Sequence, residues 1–302
     1  MLGSSHDAED AFQEALASAW GGLESFEQRA SVGAWLCRIA TNRGVNMLRD
    51  PARRPRAADR SPFDRPPPTG MGAITWLEPY PDEFLEGLPD AAPGPEARYV
   101  MREAVGLAFI SALQRLPVAQ RTALVLRDVL GFGALEVADM LGTNEATVNG
   151  ELQRARSALD ERLAPAGMRA PAPRSQRERE LAENFADACE QGDTDRVLSL
   201  LTDDATITMP PEPFEYQGRD AIALLLRHFN AWRVSGRITR LVPTRASGQP
   251  AFGHYVKEPD EATARGTGLI VLTLEGDRIS AITRFGDAAL LPRFGLPGRL
   301  PS

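Results

Sequence analysis

Proline placement constrains this chain most. Of its 24 prolines, 11 fall within residues 51–97, including the run Pro66-Pro67-Pro68. Proline fixes φ and removes a backbone donor, so such a stretch cannot be regular helix and favours extended or irregular chain. A shorter break carries Pro165, Pro171 and Pro173. The spacing predicts separate pieces: residues 1–50, a linker 51–97, a segment 98–165, a second linker 166–175 and a tail domain 176–302. Nothing in the 302 residues repeats internally, and their length suits two or three domains.

Composition excludes several classes. No run of 18 apolar residues exists to cross a bilayer. The first twenty residues are acidic and polar, unlike a secretory leader. Two cysteines, Cys37 and Cys189, and three scattered histidines give neither a disulfide framework nor a metal knuckle, so no metal or cofactor is expected. The net charge is −7, yet residues 38–60 hold seven Arg against two Asp. That run reads either as a solvated basic arm or as a footprint for phosphates. Lys257 is the one lysine; the other 33 basic residues are Arg, suited to planar phosphate contacts.

Apolar spacing predicts a helix over Asp7–Trp20, with Ala8, Ala11, Phe12, Ala15, Leu16 and Ala19 on one face and Asp10, Gln13 and Glu14 solvated. A second helix, Ser31–Arg49, has Ser31 as its N-cap and stops at Pro51. Further on, Arg102–Leu116 is followed by a helix from Pro117 to Leu130. Ala134–Leu141 is a short helix, Gly142 a turn, and Thr143 caps a helix to Leu163 that would span roughly 31 Å. A short helix, a glycine turn and a longer helix form a helix-turn-helix pattern. Its expected core is Val137, Ala138, Leu141, Val148 and Leu152. Thr143, Asn144, Glu145, Thr147, Asn149, Gln153, Arg154 and Arg156 are left for bases and phosphates. The plain alternative is an amphipathic hairpin with solvated polar residues. Segment 115–163 has six Arg against seven acidic residues, so weak intrinsic DNA affinity is expected, as for a protein carried to DNA by a larger partner.

These motifs resemble the sigma-70 family, specifically the extracytoplasmic-function group of RNA polymerase sigma factors. Asp7-Ala8-Glu9-Asp10 with Gln13-Glu14 and Trp20, then Trp35-Leu36-x-Arg38-Ile39-Ala40-Thr41-Asn42, are similar to sigma region 2. Leu113-x-x-Leu116-Pro117-x-x-Gln120-Arg121, Val137-Ala138-x-x-Leu141-Gly142 and Thr147-Val148-x-x-x-Leu152-x-Arg154-Ala155-Arg156 are similar to region 4. The resemblance implies a bacterial, cytoplasmic protein that binds core polymerase and promoter DNA. It implies core contacts at Asp10, Gln13 and Glu14, and −10 contacts at Phe26, Arg29, Arg38, Asn42, Arg43 and Arg49. The helix after Thr143 would read the −35 element. Region 2 normally has a further helix before the Asp-Ala-Glu-Asp run. Here six residues precede it, so either the start lies upstream or region 2 is truncated.

The tail predicts an α+β domain. Helices fit Glu178–Glu190, Thr194–Leu201 and Asp220–Trp232. Strands fit Ala205–Met209, Arg237–Val242, Ala251–Val256, Gly268–Leu274 and Ile279–Phe285, with a turn at Glu275-Gly276-Asp277. Asp203-Asp204-Ala205 and Gly218-Arg219-x-Ala221-Ile222 resemble the SnoaL-like (NTF2-like) cone fold. The chain as a whole thus reads as multidomain: an all-α region 2 and region 4 followed by that cone. Its expected pocket lining is Met209, Phe214, Tyr216, Phe229, Trp232, Phe252 and Phe285, with His254 and Arg284 as polar residues inside; Tyr216, Trp232, His254 and Arg284 mark a possible ligand pocket. One histidine without an identifiable partner is weak support for catalysis, so a regulatory, non-enzymatic module is expected. The acidic, aromatic stretch Ile74–Asp90 reads either as a plain disordered tether or, given its aromatics, as a segment that docks in the polymerase channel or on the tail domain. Two other readings stay open: a SnoaL-like enzyme or binding protein with a vestigial sigma segment, and a free-standing helix-turn-helix regulator.

Overall fold

A computed structural model describes residues 1–3, 5–23, 31–49, 63–71, 78–82, 107–162 and 170–301. They form two compact units. One holds residues 1–49, residue 78 and residues 107–162; the other holds 63–71, 79–82 and 170–301.

In the first unit α1 (Ser5–Gly22) packs along α2 (Val32–Arg49). The buried stripe of α1 is Ala11, Ala15 and Ala19, at helical spacing of four. Small residues let the two backbones approach. The expected face was broader: Phe12 and Leu16 are 59% and 47% exposed, because the buried stripe is the alanine row. Ser31 caps α2, its Oγ accepting from the Ala34 amide at 3.1 Å.

Helix α3 (Leu107–Gln114) is followed by α4 (Val118–Leu124), which continues as a π turn over Val125–Val129. Pro117 stands at the N-cap of α4, one place outside the expected first turn, and the helix widens before Leu130. Then come α5 (Ala134–Leu141) and α6 (Glu145–Arg162). Gly142, at φ 63°, supplies the left-handed turn between them. One apolar cluster joins Leu113, Leu116 and Leu124 to Leu152, Ala155 and Leu159 of α6. A second joins Leu126, Val137, Ala138, Met140 and Val148, with Ala34 and Cys37 of α2 packed against it. Met140 takes the buried place expected for Leu141, which is half-buried at the edge of that cluster.

Arg121 of α4 is buried and works as an internal cap. Its guanidinium donates to the Gln114 and Leu116 carbonyls at 2.5 and 3.2 Å and to the Gln114 side chain at 2.9 Å. Those carbonyls close α3, where no helical donors remain.

The second unit begins with α7 (Gln176–Gln191) and α8 (Thr194–Ser199). Its sheet comprises β1 (Gly70–Met71), β2 (Leu201–Thr208), β3 (Phe214–Gln217), β4 (Ile238–Ala246), β5 (Gln249–Lys257), β6 (Thr263–Glu275), β7 (Arg278–Phe285) and β8 (Arg299–Pro301). The order is β1-β3-β2-β7-β6-β5-β4, with β8 on β6; among the described strands only the β2–β7 pair is parallel. Helix α9 (Arg219–Arg233) joins β3 to β4. Leu181 and Phe185 of α7 and Ile222 and Leu225 of α9 pack onto Leu201, Ile207, Phe252, Leu272 and Ile282 of the strands. Burying each such side chain contributes about 1.5–3 kcal/mol. The 3₁₀ turn Ala288–Phe294 packs against β6. There Gly253 and Gly266 have no side chain in the space that Leu291 fills.

Replacing Arg121 by Ala leaves the α3 carbonyls without donors inside protein, a loss of about 1–3 kcal/mol. Thermal unfolding of the full chain should show a lower first transition, and Arg121→Lys should recover little of it, since an ammonium cannot span the same acceptors.

Candidate nucleic-acid interface and the interior of the tail domain

Helix α6 starts one residue later than expected. Asn144, not Thr143, is the N-cap, its Oδ1 accepting from the Thr147 amide at 2.8 Å and the Thr147 hydroxyl at 3.0 Å. An Asn carbonyl reaches the third amide of the turn, and this leaves the Glu145 and Ala146 amides facing outward. Val148, Leu152, Ala155 and Leu159 turn inward, and Glu145, Asn149, Gln153 and Arg156 are exposed along one flank of that stripe. Thr147 and Arg154 are exposed on the other flank, and Thr143 and Asn144 at the start of the helix. Two cations of this helix already hold carboxylates. Arg156 pairs with Asp128 of the π turn through two nitrogens, at 2.9 and 2.7 Å, and that bond raises the guanidinium pKa. Arg154 pairs with Glu151 at 2.9 Å. A phosphate approaching either guanidinium would have to displace that carboxylate.

On α2, Arg38, Asn42, Arg43 and Arg49 are exposed. Arg43 reaches α1, donating to the Ser18 hydroxyl at 2.8 Å and lying 4.0 Å from Glu14. The helix pair thus brings a candidate DNA contact beside a candidate polymerase contact. Gln13 and Glu14 are exposed, while Asp10 is half-buried. Phe26 and Arg29 lie outside the described residues.

In the tail unit the expected interior divides. Phe252 and Phe285 belong to the packed core, the former against the Phe185 ring at 6.2 Å, because α7 lies directly on β5. Phe229 and Trp232 of α9 instead form an aromatic cluster with Phe63 of the linker, at centroid distances of 5.5 and 6.2 Å. Tyr216 is buried and donates its hydroxyl to the Pro66 carbonyl at 2.9 Å. Arg65 forms a two-nitrogen ion pair with Glu212 and touches the Met209 sulfur at 3.3 Å. Phe63, Arg65 and Glu212 were not among the expected site residues. Their one sequence signal is a Phe and an Arg at the edge of the proline run.

His254 of β5 is buried, with Nδ1 2.5 Å from the Thr267 hydroxyl. Burial, then the nearby Arg284 and Arg233, pushes its pKa down to about 3. It is neutral at physiological pH and far from the range of an efficient acid or base there. Arg284 of β7 is half-buried, and burial with the neighbouring Arg65 lowers its pKa to about 10, against the pull of Glu212. No cluster able to hold a metal occurs among the described residues, and no described helix is long and apolar enough to cross a membrane.

Residues 1–54 match the Sigma-70 region 2 family, residues 106–159 the Sigma-70 region 4 family and residues 182–282 the SnoaL-like domain. The chain is 38% identical to ECF RNA polymerase sigma factor SigG of Mycobacterium tuberculosis, over 99% of this chain and 80% of that protein. The chain belongs to the ECF RNA polymerase sigma factors. SigJ of the same organism is 34% identical over 69% of this sigma factor and 58% of its own length. The crystal structure of SigJ shares the fold, with a TM-score of 0.60 at 22% identity over 98% of this chain and 93% of that one. A sigma factor binds polymerase core and directs it to promoters; this one carries a fused SnoaL-like domain behind regions 2 and 4.

Two outcomes follow from this geometry. Arg154→Ala should lower the slope of log affinity against log salt by about one, measured for holoenzyme on promoter DNA. His254 binds its proton less readily folded than unfolded, so its neutral burial favours the fold above about pH 6.5, and this is lost as pH falls toward 3. Melting temperature should therefore drop on acidification, and less steeply in His254→Gln.

Proposed function

We propose that the tail domain controls this sigma factor by gripping the linker that joins its two DNA-reading modules. Two clips support the reading. In the first, Gly70 and Met71 pair with Glu215 and Phe214 of β3, and the Thr69 amide donates to the Glu215 carbonyl at 2.9 Å. Phe63, Arg65 and Pro66 seat below, as above. In the second, the Ser247 amide donates to the Tyr80 carbonyl at 2.7 Å and the Tyr80 amide to the Ser247 hydroxyl at 3.1 Å. Asp82 accepts from the Gly248 amide at 2.7 Å and from Arg245 Nε at 2.9 Å, and Arg245 also pairs with the buried Glu178. Of the two docking places weighed for the linker, the tail domain is therefore favoured over the polymerase channel. Most of Ile74–Asp90 outside 79–82 lies beyond the described residues.

The packing of α2 against the helix-turn-helix supports a closed resting state. Ala34 and Cys37 of region 2 lie on the core of the −35 reader. Promoter elements named −35 and −10 are 25 base pairs apart by their labels, roughly 85 Å along B-DNA. Modules in contact cannot read both, so the first unit opens on polymerase. In that state Asp10, Gln13 and Glu14 contact core enzyme. Arg38, Asn42, Arg43 and Arg49, with Phe26 and Arg29, hold the −10 strand. Thr143, Asn144, Glu145, Thr147, Asn149, Gln153, Arg154 and Arg156 engage the −35 duplex. The protein acts in the cytoplasm, and its tail is a regulatory rather than a catalytic domain. A depressed His254 supports that reading, and Tyr216, Trp232, His254 and Arg284 mark where a ligand would act.

Run-off transcription with core polymerase tests the grip. Asp82→Ala and Arg245→Ala should alter promoter opening several-fold while leaving core binding unchanged. Identical transcription from both variants and from wild type would show that the clips carry no control.

A further inference from the structure

We propose that the tail cone is a receptor for a small monoanionic carboxylate, held between Arg284 of β7 and Arg65 of the linker. The proposal rests on linker control and supplies that grip with an effector. Arg284 stands in a central row of the sheet, its register partner on β6 being Ile270, which in turn pairs with Phe252 of β5. Its guanidinium lies 3.1 Å from where a side chain on Gly286 would begin, so that glycine gives it room. Among the described residues it makes no hydrogen bond or ion pair. Part of its surface is nevertheless accessible, although surrounding protein strips it of most of its water.

The local charges do not balance. Glu212, the carboxylate whose charge Arg284 feels, is already engaged by two nitrogens of Arg65. His254 is neutral and offsets nothing. Two guanidiniums therefore share one carboxylate, leaving one uncompensated positive charge in a largely dry setting. A buried charge without a partner is costly, and one monoanion removes the deficit. Guanidinium favours planar, two-oxygen acceptors, so a carboxylate fits the fork. The Phe229 ring lies 6.0 Å from that of His254 and packs with Phe63 and Trp232, an aromatic wall for a flat apolar body. Two of the groups named, Phe63 and Arg65, belong to the linker, so an occupied site tightens the first clip.

The probe is sodium benzoate on the purified full-length chain, with benzamide as the uncharged isostere and sodium chloride matching ionic strength. Benzoate should raise the melting temperature saturably and slow hydrogen exchange at residues 63–71; benzamide should do neither. Arg284→Gln, checked as folded by circular dichroism, should weaken the benzoate response at least tenfold. Arg284→Lys should weaken it less. Arg65→Gln should weaken it and abolish the protection of the linker. The proposal is overturned by no saturable benzoate response, by equal action of benzamide, by an unchanged response in Arg284→Gln, or by faster exchange of the linker with benzoate. Such a failure alongside altered run-off transcription from Asp82→Ala removes the receptor and leaves linker control standing. Unaltered transcription alongside a benzoate response does the reverse.

Discussion

Much of the tail unit's organisation depends on one backbone pairing: linker strand β1 laid along β3. Strand β3 is short and, without β1, would be the sheet edge, with unsatisfied amides and carbonyls facing water. The linker covers that edge, and the three prolines just before it carry no amide that would need a partner there. Once the strand is seated, Pro66 falls within reach of Tyr216, Arg65 reaches Glu212, and Phe63 joins the rings of α9. Residues 63–71 thus become part of a folded domain, because Phe63, Arg65, Pro66 and Thr69 find partners on it.

The DNA-reading unit follows a different economy. Several of its cations are already engaged: Arg156 by Asp128, Arg154 by Glu151, Arg43 by Ser18 close to Glu14. Exposed pairs of this kind add little stability. They do suppress the sequence-independent attraction to phosphate that a free guanidinium would give. Specificity then rests on polymerase bringing both readers to the promoter together.

Much of this was legible in the sequence because the signals were local. Gly142, Ser31, the Glu275-Gly276-Asp277 turn and the alternating runs of the tail each place an element through backbone preference or period. The errors share a cause in tertiary context. Phe12 and Leu16 fit an inward face by period, yet the alanine row won because it permits closer packing on α2. Thr143 and Asn144 are both good caps, and only the turn geometry separates them. Phe252 and Phe285 alternate like cavity walls, but α7 and the neighbouring strands bury them. The β1–β3 pair spans nearly 150 positions, so no local window reveals it, and Phe63, Arg65 and Glu212 stayed hidden with it.

The positions of the two clips set how far the modules can travel. From Arg49 to Phe63 the chain has 14 steps, and from Asp82 to Leu107 it has 25. Fully extended, at 3.3–3.6 Å per residue, stretches of that length would reach at most about 50 and 90 Å. Under the proposed grip, region 2 and the helix-turn-helix can part by such distances while residues 63–71 and 79–82 stay tied. In that proposed reading the SnoaL-like domain need not be shed for initiation to begin; it can ride on the transcribing machine as a passenger, close enough to act again after each firing.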